Sequence, residues 1–110
     1  MRAYVWDGGH ARASHQEYGG AGGTNRYTVA DGSTSLNYHA AHVTGTIMAS
    51  GVVANAKGMA PHSRVSGYDW NSDLSEATTA AGNGMLVSNH SYGFRSDLVP
   101  DYYFGAYITD

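Results

Sequence analysis

Two histidines stand three residues apart in Asn37-Tyr38-His39-Ala40-Ala41-His42-Val43-Thr44-Gly45-Thr46-Ile47-Met48. That spacing, followed by small residues and an apolar run, predicts a histidine pair on the first turn of a tightly packed helix. A side chain at a helix start is held by a packed element yet can reach a cleft, which makes His39 the candidate for chemistry. Asp7 is the second candidate, because it closes the run Ala3-Tyr4-Val5-Trp6 and precedes Gly8-Gly9. An aspartate and a histidine are two of the three parts of an activated-nucleophile system. Imidazole accepts a proton near neutral pH through one nitrogen, while a fixed carboxylate holds its other N–H, sets the tautomer and stabilises the imidazolium. Ser91 lacks a Gly-x-Ser-x-Gly elbow and reads as a backbone-binding or turn residue rather than the nucleophile.

These residues need elements to carry them. Ala3 to Trp6, stopped by Asp-Gly, predicts a buried strand that ends at a loop. His10 to Ser35 is rich in Gly, Ala and Ser and reads as loop with solvated His10, His15 and Glu17, apart from a strand at Arg26 to Val29. The helix from His39 is expected to stop near Ser50-Gly51. A loop to Pro61 and a second strand at Arg64 to Trp70 follow. Asp73-Leu74-Ser75-Glu76 has the capping-box pattern that opens a helix, with Leu74, Ala77, Thr78 and Ala81 on its inner face and Asn83 as its C-cap. Met85 to Ser88 reads as a buried strand, and Phe94 to Asp110 as a loop followed by a short helix after Pro100. Strands and helices in this alternation predict parallel pairing through right-handed crossovers, hence an open α/β sheet with helices on its faces. Ligands bind at the carboxyl ends of such strands, so Asp7, His39 and Ser91 to Gly93 are expected to converge on one cleft.

Composition narrows the function classes. The 110 residues suit one small domain, and 42% hydrophobic with 14% charged residues favour a packed interior over disorder. A net charge of −3 supplies no basic stripe for nucleic acid and no attraction to an anionic membrane. The absence of cysteine excludes disulfides, thiolate metal sites and a cysteine nucleophile. No apolar run approaches the roughly 20 residues of a membrane-spanning helix. Both ends break off abruptly, the last in the apolar stretch Tyr103 to Ile108, which predicts a piece of a longer protein.

Four stretches together resemble the subtilisin-type (subtilase) peptidases. His39-Ala40-Ala41-His42-Val43-Thr44-Gly45-Thr46-Ile47 resembles their histidine motif, His-Gly-Thr-His-Val-Ala-Gly-Thr-Ile. Val5-Trp6-Asp7-Gly8-Gly9 is similar to their aspartate motif, and Val87-Ser88-Asn89-His90-Ser91-Tyr92-Gly93 to the strand ending in Asn-x-Ser-x-Gly that lines their substrate cleft. Gly58-Met59-Ala60-Pro61 is similar to their Gly-x-Ala-Pro connection. The order Asp then His is the subtilase order. Gly8 stands where Ser or Thr is usual, Ala40-Ala41 replace Gly-Thr, and His90 and Tyr92 replace apolar residues.

The resemblance implies a three-layer α/β sandwich with a mainly parallel sheet, present here incompletely over residues 1–110. It further implies a serine endopeptidase in which Asp7 orients, His39 is general base and acid, and Ser91, Tyr92 and Gly93 pair with an extended polypeptide substrate. The partners it implies are that substrate and the rest of the catalytic domain; it implies secretion, and no required cofactor. Structural calcium is a family trait that these residues do not place. The nucleophile motif Gly-Thr-Ser-Met-Ala and the oxyanion asparagine have no counterpart in the chain, so this stretch alone is expected to be inactive. Two alternatives stand beside this reading. One is a non-catalytic peptide-binding pseudopeptidase that uses the strand edge at Ser91 to Gly93; the other is a metal-dependent hydrolase built on His10, His39 and His42.

Overall fold

The computed structural model describes residues 1–19, 25–93, 102–103 and 106–107. Four strands, β1 (Arg2–Asp7), β2 (Tyr27–Val29), β3 (Arg64–Asp69) and β4 (Ser88–His90), form one parallel sheet in the order β2-β3-β1-β4. Two helices, α1 (Tyr38–Met48) and α2 (Asp73–Gly82), lie between strands in sequence: α1 makes the crossover between the paired strands β2 and β3, and α2 carries the chain from β3 past β1 to β4. The architecture is α/β with a parallel sheet, as expected.

Alternation along β1 assigns the two faces. Ala3 and Val5 point to the side where α1 packs, and with Ala11, Tyr18, Tyr27, Met48 and Val65 they make the core. Tyr4 and Trp6 point to the other side, where Trp6 is fully buried and its indole N–H reaches Glu76 of α2 at 3.4 Å. A row of flat rings runs across the sheet there: Trp6 stacks on Tyr68 of β3 at 4.2 Å and on His90 of β4 at 5.0 Å. Burial pushes the Glu76 carboxyl above its ordinary range, against the indole hydrogen bond and with the help of Asp31, Asp69 and Asp73.

Helix α1 is held at both ends. Asn37 is its N-cap and accepts the Ala40 N–H at 3.0 Å. At the far end, the carbonyls of Thr46, Ile47 and Ala49 accept from the backbone N–H groups of Met59, Ala60 and Gly58. The Arg26 guanidinium takes the Met48 carbonyl at 2.9 Å, so all four terminal acceptors have partners. This is the physical role of the Gly-x-Ala-Pro stretch. A β-carbon on Gly58 would stand 2.5 Å from Ala49 N, 2.7 Å from Gly45 O and 2.8 Å from Met48 N. Only glycine lets the connection lie this close to the helix.

Several expectations are corrected. The cap of α2 is Ser72 rather than Asp73, whose carboxylate instead accepts the Leu74 N–H at 2.8 Å. Asp73, Glu76, Ala77 and Ala80 face inward, while Leu74 is 82% exposed. Asn83 is the C-cap, as read from the sequence. The fourth strand begins at Ser88 rather than Met85, and it is an exposed edge rather than a buried strand, with Leu86 and Val87 open to solvent. His42, placed with His39 on the first turn of the helix, is exposed. In the tail, Tyr102–Tyr103 and Ala106–Tyr107 pair as two short antiparallel strands where a helix was expected. The rest of the tail, including Phe104, and the glycines at 20, 22 and 23 lie outside the described residues. No helix among the described residues is long and apolar enough to cross a membrane.

Candidate active site

β1 delivers Asp7 to the carboxyl edge of the sheet, opposite Asp69 of β3 in register. Its odd position turns the side chain to the α1 face, where the helix presents His39 in its first turn. His39 Nδ1 lies 2.7 Å from Asp7 Oδ2, with the Asp7 side chain 3% exposed and that of His39 47% exposed. The second carboxylate oxygen, Oδ1, accepts the Gly8 N–H at 2.7 Å. A carboxylate can only accept, so His39 carries a proton on Nδ1 and turns Nε2 outward, where the neutral ring offers its lone pair. Nε2 has no partner among the described residues.

This is the arrangement a general base needs. The carboxylate is shielded and fixed by two hydrogen bonds, and the imidazole is half open, its lone pair facing away from its support. A family model described as the subtilase family matches residues 12–104. The chain belongs to the subtilase family. No curated protein and no solved structure matched it. The matched stretch holds His39 and Ser91 to Gly93 but begins five positions after Asp7, so Asp7 stands on its geometry.

The remaining candidates divide. Ser91, Tyr92 and Gly93 follow directly on β4, whose His90 pairs with Trp6 beside Asp7, so they lie at the same sheet edge. Ser91 Oγ accepts from Asn89 Nδ2 at 2.8 Å, and the Tyr92 hydroxyl donates to Asp73 Oδ2 at 2.8 Å. The Tyr92 ring packs edge-on against Trp70 at 5.4 Å. Burial pushes the Tyr92 hydroxyl up, followed by its bond to Asp73 and by the charges of Asp73, Asp7 and Glu76. His10, His39 and His42 are not brought together as a metal set: His10 has both ring nitrogens engaged elsewhere and His42 points to solvent. Among the described residues no group of three or more His, Cys, Asp or Glu side chains is arranged to share a metal ion.

Shape alone would have pointed elsewhere. A cavity of about 580 Å³ lies against the flank of α1 between His15, Tyr18, His42, Gly45 and Lys57, and neither Asp7 nor His39 lines it. The chemistry of the pair outweighs the size of that hollow, which brings no comparable set of reacting groups together.

Two buried groups were missed by the sequence reading. Glu17, expected to be solvated, is 6% exposed, and its carboxylate accepts the N–H groups of Gly51, Val52 and Val53 at 2.8 to 3.0 Å. The Val53 hydrogen bond, with those of Gly51 and Val52, holds this carboxyl below its ordinary range against the opposing effect of burial. His10, also expected in solvent, is 1% exposed. Neither lies in a periodic segment, and the contacts that bury them are long-range, so local pattern carried no signal for them.

Proposed function

We propose that this subtilase chain carries the proton-handling half of a serine endopeptidase site. The observation that carries the reading is the 2.7 Å bond between shielded Asp7 and half-exposed His39, with Nε2 left free. In the reaction, Nε2 takes the proton of a serine hydroxyl as its oxygen attacks the peptide carbonyl, and returns it to the departing amine. Asp7 keeps its own charge throughout, holding the Nδ1 proton and offsetting the imidazolium. The serine comes from sequence outside this chain, in a Gly-Thr-Ser context. The substrate is an extended polypeptide laid along Ser91, Tyr92 and Gly93 as an added strand.

The test is His39→Ala in the protein that includes the downstream sequence. Peptide hydrolysis is expected to fall by about 10⁴-fold or more, and hydrolysis at the parental rate would overturn the assignment.

A peptide-binding module without catalysis draws on a separate observation, the exposure of the edge strand β4. It requires that no Gly-Thr-Ser follow downstream and that labelled peptide bind equally well after His39→Ala. Loss of hydrolysis with retained binding separates the two readings.

A further inference from the structure

His10 is among the largest fully buried side chains, and its ring is hydrogen-bonded at both nitrogens. Nδ1 lies 2.7 Å from the Tyr27 hydroxyl and Nε2 2.8 Å from Asp31 Oδ1. Since the carboxylate only accepts, Nε2 bears the proton and Nδ1 accepts from the Tyr27 O–H.

Asp31 shares its two oxygens more widely. Oδ1 also accepts the Ser33 N–H at 3.0 Å, and Oδ2 accepts the Asp69 N–H at 2.7 Å, at the carboxyl end of β3. Burial pushes this carboxyl up, but the bonds from Ser33, Asp69 and His10 outweigh it and hold it below the ordinary range. Tyr27 reaches His10 only because position 67 is glycine. Its hydroxyl and ring carbons occupy the place a β-carbon on residue 67 would take.

The backbone of the same residue grips the start of α1. The His10 N–H donates to the Ser35 carbonyl at 2.8 Å, and the His10 carbonyl accepts the Asn37 N–H at 2.9 Å. Asn37 is the N-cap, and His39 follows two residues later. One residue thus joins β2 and β3, through its ring, to the segment that sets where the His39 helix begins.

We propose that His10 is a positioning residue for the Asp7–His39 pair, its doubly bonded ring locking the backbone clamp that places the N-cap of α1. A plain core histidine would need no such clamp on its own backbone. The inference deepens the peptidase reading and rests on it for its kinetic consequence, but its structural half is independent of any hydrolysis.

Two variants test it. H10F keeps the ring volume and removes both hydrogen bonds, whereas H10Q offers an acceptor to Tyr27 and a donor to Asp31. In the 110-residue chain, ¹⁵N NMR of the histidine side chains reads the His39 Nδ1 proton held by Asp7. Its exchange with water is expected to rise tenfold or more in H10F and to return toward the parental rate in H10Q. In the protein that bears the nucleophile, kcat is expected to fall about 10- to 100-fold in H10F with KM within twofold, and to recover largely in H10Q. A folded H10F with unchanged Nδ1 exchange and unchanged kcat overturns the proposal. If H10F does not fold, Y27F, which removes one hydroxyl, takes its place: a smaller change in both readouts supports the clamp, and no change in either overturns it. Altered Nδ1 exchange with no hydrolysis in any parent protein supports the clamp and removes the peptidase reading instead.

Discussion

Replacing Asp7 by Asn changes one atom of a buried side chain, and the structure settles which way the new amide points. Asp7 Oδ1 accepts the Gly8 N–H at 2.7 Å. If the amide NH₂ faced Gly8, two donors would meet at that distance in a site where the side chain is 3% exposed and water offers no relief. The Asn oxygen therefore stays on Gly8, and its NH₂ takes the place of Oδ2 against His39 Nδ1. An NH₂ donates, so Nδ1 must become the acceptor and the imidazole proton moves to Nε2. The nitrogen that should receive the nucleophile's proton is then already protonated. Removing the orienting acid of such a triad costs about 10⁴ in kcat, which is about 5.5 kcal/mol of barrier. Hydrolysis of a peptide substrate by the nucleophile-bearing protein, with and without Asp7→Asn, measures the rate. Side-chain ¹⁵N spectra of the 110-residue chain show which His39 nitrogen carries the proton. An Nδ1 proton retained in the Asn variant, or a kcat within tenfold of the parent, would refute the reasoning.

Two other outcomes follow from the bracing of α1. Gly58→Ala places a methyl group against three backbone atoms that cannot swing aside, and it should loosen the hydrogen bonds from residues 58, 59 and 60 to the helix end. At about 1 kcal/mol for each bond, urea unfolding should show a loss of about 2–4 kcal/mol, and a change below about 0.5 kcal/mol would contradict the close approach. Glu17 gives a pH dependence of known sign. Its carboxyl is held below the ordinary value of 4.5 by three N–H groups, so the unfolded chain binds its proton first. Its stabilising effect is complete above that value and is lost as pH falls through the lower folded-state value. Protection of the Gly51, Val52 and Val53 amides, measured against their intrinsic exchange rates, should fall in that acid window, and Glu17→Gln should show the lower protection already at neutral pH.

Much of the frame was legible because it is locally encoded. β1, β3 and both helices fall within a residue or two of the spans read from run length, glycine stops and cap residues, and the Asp7–His39 pairing follows from the elements that carry them. The inner face of α2 was not legible, because it carries the polar Asp73 and Glu76 beside Ala77 and Ala80, while the apolar Leu74 that the pattern placed inside is exposed. The observed face is offset by one residue from the expected one, about 100° around the axis. β4 was displaced for a related reason: Met85, Leu86 and Val87 have strand-forming side chains, yet pairing with β1 is set by the register of Tyr4 with Ser88. His10 and Glu17 stayed hidden because their partners stand 17 to 36 positions away. The comparison with the subtilase family establishes kinship for residues 12–104, while the acid of the pair was found first as a strand-ending aspartate.

The Asp7–His39 bond spans 32 positions, yet the elements that hold it reach further along the chain: the His10 clamp is anchored through Asp31 on the Asp69 N–H, and β1 pairs with β3 and β4. Emergence of Asp7 and His39 from a ribosome is therefore not enough to bring them together, because a domain folds as a unit and the strand that bears Asp7 does not have both of its neighbours until His90 has been made.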